Sequence, residues 1–123
     1  MRVETSNKQD YITKFIKGTI SLGKSPNIFL VSDSAFSEFS LNSLAKFVGL
    51  GDINYTLPYL LSDAINSEED VSNIVLVDSL DKHLQALHDK DLNKYKSLMF
   101  TLTNHLEILE NKDFLMLSVV EKA

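Results

Sequence analysis

Three short apolar stretches decide what this chain can fold into: Ile28 to Val31, Ile74 to Val77, and Phe114 to Val120, the last broken only by Ser118. A strand with one wet face alternates apolar and polar residues, whereas a strand covered on both faces has no polar side to show. The segments between these stretches carry helical spacing. Leu92, Tyr95, Met99, Leu102, Leu106 and Leu109 recur at steps of three and four, which predicts a long helix. Leu80, Leu84 and Leu87 predict a shorter helix before it, with Lys90-Asp91 as the break, and Tyr11, Ile12, Phe15 and Ile16 share one face of a helix from Gln9 to Lys17 that Gly18 can end. Buried strands separated by helices predict an α/β fold, a three-layer sandwich with a mostly parallel sheet and right-handed crossovers.

The remaining elements follow from local signals. After the turn Gly23 to Pro26 and the first buried strand, Ser37 or Ser40 can cap a helix whose buried face is Leu41, Leu44, Phe47 and Val48, with Gly49 as its stop. Ile53 to Leu57 reads as a short strand, Pro58 as lying near the start of a helix over Tyr59 to Asn66, and Ser67 to Asp70 as an acidic turn. Residues 1–8 are polar and read as a flexible tail, leaving 9–123 as a single domain.

The strand-turn-helix from Pro26 to Leu50 has the layout of a phosphate loop, and Asp78 at the tip of the next buried strand stands where an acid would reach magnesium through water. A working phosphate loop needs glycines, so that backbone amides can approach the phosphates, and a lysine to balance their charge. Between Val31 and Leu41 there is neither. The same position for Asp78 suits a strand-end residue that caps the following turn. His83 and His88 are too far around a helix to share a metal, His105 borders the apolar stripe of the long helix, and no serine lies in a nucleophile elbow. The acids Asp63, Glu68, Glu69 and Asp70 lack the pattern of a calcium loop. No cofactor and no metal site is expected. Phe36 and Phe39 follow the first buried strand; they form either an exposed contact surface or part of the core beside Phe47 and Tyr11.

Composition narrows the partner. The formal charge is -5 and Arg2 is the only arginine, which argues against nucleic acid, because phosphate neutralisation needs clustered cations. There is no cysteine, and no apolar run approaches the ~20 residues that span a bilayer, so a cytoplasmic location and no membrane association are the expectations. A protein or small-molecule partner suits the charge better than nucleic acid. The first helix packs either on this domain or on a second copy in a homodimer.

The order of elements, with Phe47-Val48-Gly49-Leu50 closing the first helix, strands at Ile74 and Phe114 and a long helix between them, resembles a RecA-like domain without a P-loop. Among small members it is most similar to the SulA-like bacterial cell-division inhibitors, in which a Gly-Leu pair after the first helix precedes the second strand. The resemblance implies a non-catalytic protein, not an enzyme, that binds FtsZ and blocks its polymerisation in the SOS response. It places partner contacts at the first strand, the loop and helix after it, and the second strand. Here these are Val31, Asp33, Ser34 and Leu44, together with Phe36 and Phe39 in the same segment, and Asn54. The chain is also similar to the psi subunit of the bacterial clamp loader, whose late leucine-rich helix matches Tyr95 to Leu106. That similarity implies a scaffold or accessory subunit of a replication or RecA-like complex.

Overall fold

The computed structural model describes residues 2–21, 26–32, 45–68 and 71–122. Along the chain run β1 (Arg2–Thr5), α1 (Lys8–Ser21), β2 (Asn27–Val31), β3 (Lys46–Val48), α2 (Ile53–Ile65), β4 (Asn73–Asp78), α3 (Leu80–Lys90), α4 (Leu92–Leu109) and β5 (Phe114–Glu121). The strands form one five-stranded sheet in the order β1-β5-β4-β2-β3, and every pairing is parallel. This is the α/β sandwich that the unbroken apolar runs predict.

Alternation along each strand sorts side chains onto the two faces. Ile28 and Leu30 of β2, Ile74 and Leu76 of β4, and Leu117 and Val119 of β5 meet Ile12 and Ile16 of α1 on one face. Val31, Val75 and Val77 point the other way, into a core completed by Leu57, Leu60 and Leu61 of α2, Leu80 of α3, and Leu98, Leu102 and Leu109 of α4. The central strand β4 is buried at all six of its positions, as a strand covered from both sides must be.

Caps set the helix boundaries. Asp52 accepts the Asn54 amide at 3.1 Å and starts α2. Asp91 does two things at once: its amide donates to the Leu87 carbonyl at the end of α3, and its carboxylate accepts the Lys94 amide at 3.1 Å at the start of α4. That is the physical content of the break at Lys90-Asp91. Asn7 accepts the Asp10 amide at 3.0 Å ahead of α1, and this helix runs on through Gly18 instead of ending there.

Three expectations are corrected. Residues 2–5 are not a tail: Arg2 to Thr5 pair with Ser118 to Glu121, and Arg2 is tied to Glu4 and to Asp81 in α3. Phe47 and Val48 belong to β3, in register with Leu30 and Val31, so no helix reaches Gly49, and the Gly49-Leu50 pair follows the strand next to β2 instead of preceding it. Ile53 to Leu57 is the start of α2 and not a strand; the alternation of Ile53, Tyr55 and Leu57 fits two residues per repeat, but Ile53, Leu57, Leu60, Leu61 and Ala64 also fall on one helical stripe, and that stripe is what the core receives. Pro58 lies inside this helix. Having no N–H, it deprives the Asn54 carbonyl of its helical donor.

Candidate functional site

In an open parallel sheet, ligands bind outside the carboxyl ends of the strands where the strand order reverses. From β2 the chain moves outward to β3, and from β4 it moves the other way to β5, so the reversal falls between β2 and β4. Asp78 ends β4 there, and Ser32 follows β2 beside it. Both are buried.

Both oxygens of the Asp78 carboxylate have partners. Ser32 Oγ donates to its Oδ2 at 2.6 Å, Ser79 Oγ donates to Oδ1 at 2.9 Å, and the Lys8 ammonium from the first turn of α1 lies 2.7 Å from Oδ1. Burial pushes the Asp78 carboxyl up, but hydrogen bonds from Lys8, Ser32 and Ser79 and the charge on Lys8 outweigh it, and the group sits below its ordinary value of 3.8. Ser79 holds a left-handed conformation, φ 56, just after the strand. Its side chain caps no helix amide and turns to the carboxylate instead. Such a conformation is costly for a non-glycine residue, and the bonds around Asp78 hold it in place.

The chemistry follows from these partners. A carboxylate held below its usual range is a weak general base, and Ser32 donates to it. The place a divalent cation would take beside Asp78 is held by Lys8. Asp78 stands at the strand end as the sequence places it, but its bonds run to side chains and not to the amides of the following turn, and one of them is to a lysine that no sequence spacing could have tied to it. Among the described residues, no three His, Asp or Glu side chains are grouped to hold a metal ion. His88 packs edge-on against Tyr95 and sits 3.3 Å from Asp89, and His83 borders a cleft of about 480 Å3 at the starts of α2 and α4. Lys90 and Lys94 in that cleft are matched by Asp52 and Asp91, which already cap the two helices.

On the opposite face of the sheet, Ser118 Oγ is buried without a hydrogen-bond partner among the described residues. An unmet buried hydroxyl is unfavourable, so Ser118→Ala is expected to stabilise the protein by about 1 kcal/mol. Urea denaturation checks this, and a loss of stability would show that the hydroxyl is bonded in solution.

The residues expected to contact a partner part company. Val31 is fully buried between Val48 and Val77 and offers no surface; this corrects its assignment as a contact. Asp33, Ser34, Phe36, Phe39 and Leu44 lie outside the described residues. Asn54 is half-buried in the first turn of α2. Beside it stand Tyr55 and Tyr59, absent from the contacts expected from sequence, which are 69% and 59% exposed and stack on each other with centroids 5.8 Å apart and planes 18° from parallel. Their i, i+4 spacing was the available signal, masked by the assignment of Ile53 to Leu57 as a strand.

Fold and site together define a parallel-sheet α/β domain whose switch point carries a lysine-bound acid and whose second helix carries an aromatic pair in water. Compared with models of protein families and with curated proteins, the chain matches none. No helix among the described residues is long and apolar enough to cross a membrane.

Proposed function

We propose that this chain is a non-catalytic protein-binding domain that acts in the cytoplasm, that its partner docks on the outer face of α2, and that it inhibits cell division by binding FtsZ. The observation that carries the docking face is the Tyr55–Tyr59 stack. Two large rings held in water on a helix whose inner face is locked into the core are the kind of rigid aromatic anchor that dominates protein interfaces. Asn54, an expected contact, borders them. The lysine-paired carboxylate at the switch point supports the non-catalytic half of the reading, and FtsZ as the partner rests on the order of elements that resembles SulA-like proteins, without the Gly-Leu placement. The mechanism is steric: the domain covers a surface that FtsZ subunits need for each other, and no turnover is involved.

Light scattering of polymerising FtsZ tests this directly. Stoichiometric addition of the wild-type chain should suppress the signal, and the doubly substituted Tyr55→Ser/Tyr59→Ser protein should not. Undiminished polymerisation in the presence of excess wild-type chain removes FtsZ as the partner.

One observation favours a second reading, an accessory subunit of a replication or RecA-like complex. Phe100 is 71% exposed on the outer face of α4, and a subunit held between two neighbours uses two apolar sites. A stable stoichiometric complex lost on Phe100→Ser, with FtsZ unaffected, would replace the first reading by this one.

A further inference from the structure

The outer stripe of α2 is specific about the chemistry it can receive. Tyr55, Tyr59 and Asp63 follow one another at four-residue steps on the exposed side of the helix, and Asp52 lies on the same side at its start. All four are exposed. No lysine, arginine or histidine occurs between Ile53 and Ile65; Asp52 shares a cleft with Lys90 and Lys94 and caps α2, which leaves Asp63, one turn beyond Tyr59, as the acid of the exposed stripe. Ring faces attract cations through the quadrupole of the π system. A carboxylate within a helical turn of each ring adds a charge partner and a bidentate acceptor.

We infer that the Tyr55–Tyr59 stripe is an arginine-docking site, occupied by an exposed arginine-bearing segment of a partner protein. The inference rests on the docking face proposed above and names what that face recognises. Arginine fits better than lysine because its planar guanidinium can lie on a tyrosine ring while its N–H groups reach Asp63, whereas an ammonium is compact and more strongly hydrated. A second copy of this chain is a poor occupant. Its one arginine, Arg2, is bound to Glu4 and Asp81. Nucleic acid and anionic lipid are disfavoured by the two acids and by the overall charge of -5.

The test is an amide chemical-shift titration of the isotope-labelled chain with three short peptides of identical length, in which glycine alternates with arginine, lysine or citrulline. Citrulline keeps the planar shape and loses the charge. The arginine peptide should shift amides between 53 and 66, the lysine peptide should bind several-fold more weakly, and the citrulline peptide should give no saturable shift. Tyr55→Ser/Tyr59→Ser leaves the net charge untouched and should weaken arginine-peptide binding by about tenfold. Asp63→Asn should weaken it too and flatten its salt dependence. Equal affinity for arginine and lysine peptides, shifts scattered over the acidic surface, or unchanged binding by the double tyrosine variant would overturn the assignment. The two readings fail separately. FtsZ unaffected but α2 shifted by arginine peptide removes the partner and keeps the site, whereas FtsZ blocked equally by the tyrosine variant keeps the partner and removes the site.

Discussion

Replacing Lys8 by methionine is expected to lower the unfolding free energy by about 2–3 kcal/mol at neutral pH. Removing one member of a fully buried ion pair costs about 3–5 kcal/mol because it strands a charge, and the figure is reduced here because the Lys8 side chain keeps 19% of its exposure while Asp78 keeps 5%. The pH dependence gives a sharper check. In the wild type the Asp78 carboxyl is depressed below 3.8, so its contribution is present above that value and is lost as pH falls through the depressed one. Without Lys8, both lowering contributions of its ammonium are gone while burial and the two serine bonds remain, so the folded-state value rises and less stability is lost on acidification. The gap between variant and wild type should therefore narrow as urea denaturation is repeated from pH 7 to below 3.8. Lys8→Met combined with Asp78→Asn should recover much of the loss. A gap that stays constant with pH would mean that the pair is solvated and contributes little.

The second large effect separates the two sides of α2. Leu61→Ala opens a cavity in a fully buried position against the core formed with α4 and β4, and is expected to cost about 3 kcal/mol. Tyr55→Ser/Tyr59→Ser, on the outer side of the same helix, should cost no more than about 1 kcal/mol, chiefly the lost ring contact. Thermal or urea unfolding of both proteins measures the contrast. Comparable destabilisation by the two would show that the tyrosines belong to the fold and are not held out for a partner.

The elements that the sequence made legible are those whose burial is complete or whose periodicity is long. β4 falls where its unbroken run ends, at Asn73 and Asp78, and α4 spans the stripe from Leu92 to Leu109. Short elements with mixed environments were not legible. β1 offers one apolar residue, Val3, in an edge strand whose other face is charged, and β3 is three residues long, too few for any period to show. Ile53 to Leu57 carries both periods at once, and Asp52, the cap that decides between them, is a weak signal by itself. The site was half visible. Asp78 could be placed at a strand tip from sequence, but its partner Lys8 comes from the other end of the chain, and only the sheet order brings them together.

That order has a consequence for how the molecule comes into being. β5 does not add to an edge; it enters between β4 and β1, and the bond from the Lys8 amide to the Glu121 carboxylate closes a separation of 113 residues. During synthesis β1 emerges first and has no partner until β5 has emerged as well. Until then Val3 and the inner edge of β4 stand open, and the sheet cannot be assembled in the order in which it is made. Mixed domains built on such long-range pairings fold more slowly than those built on local contacts. For this protein, the last strand is the wedge that turns a partial sheet and a loose leader into one body.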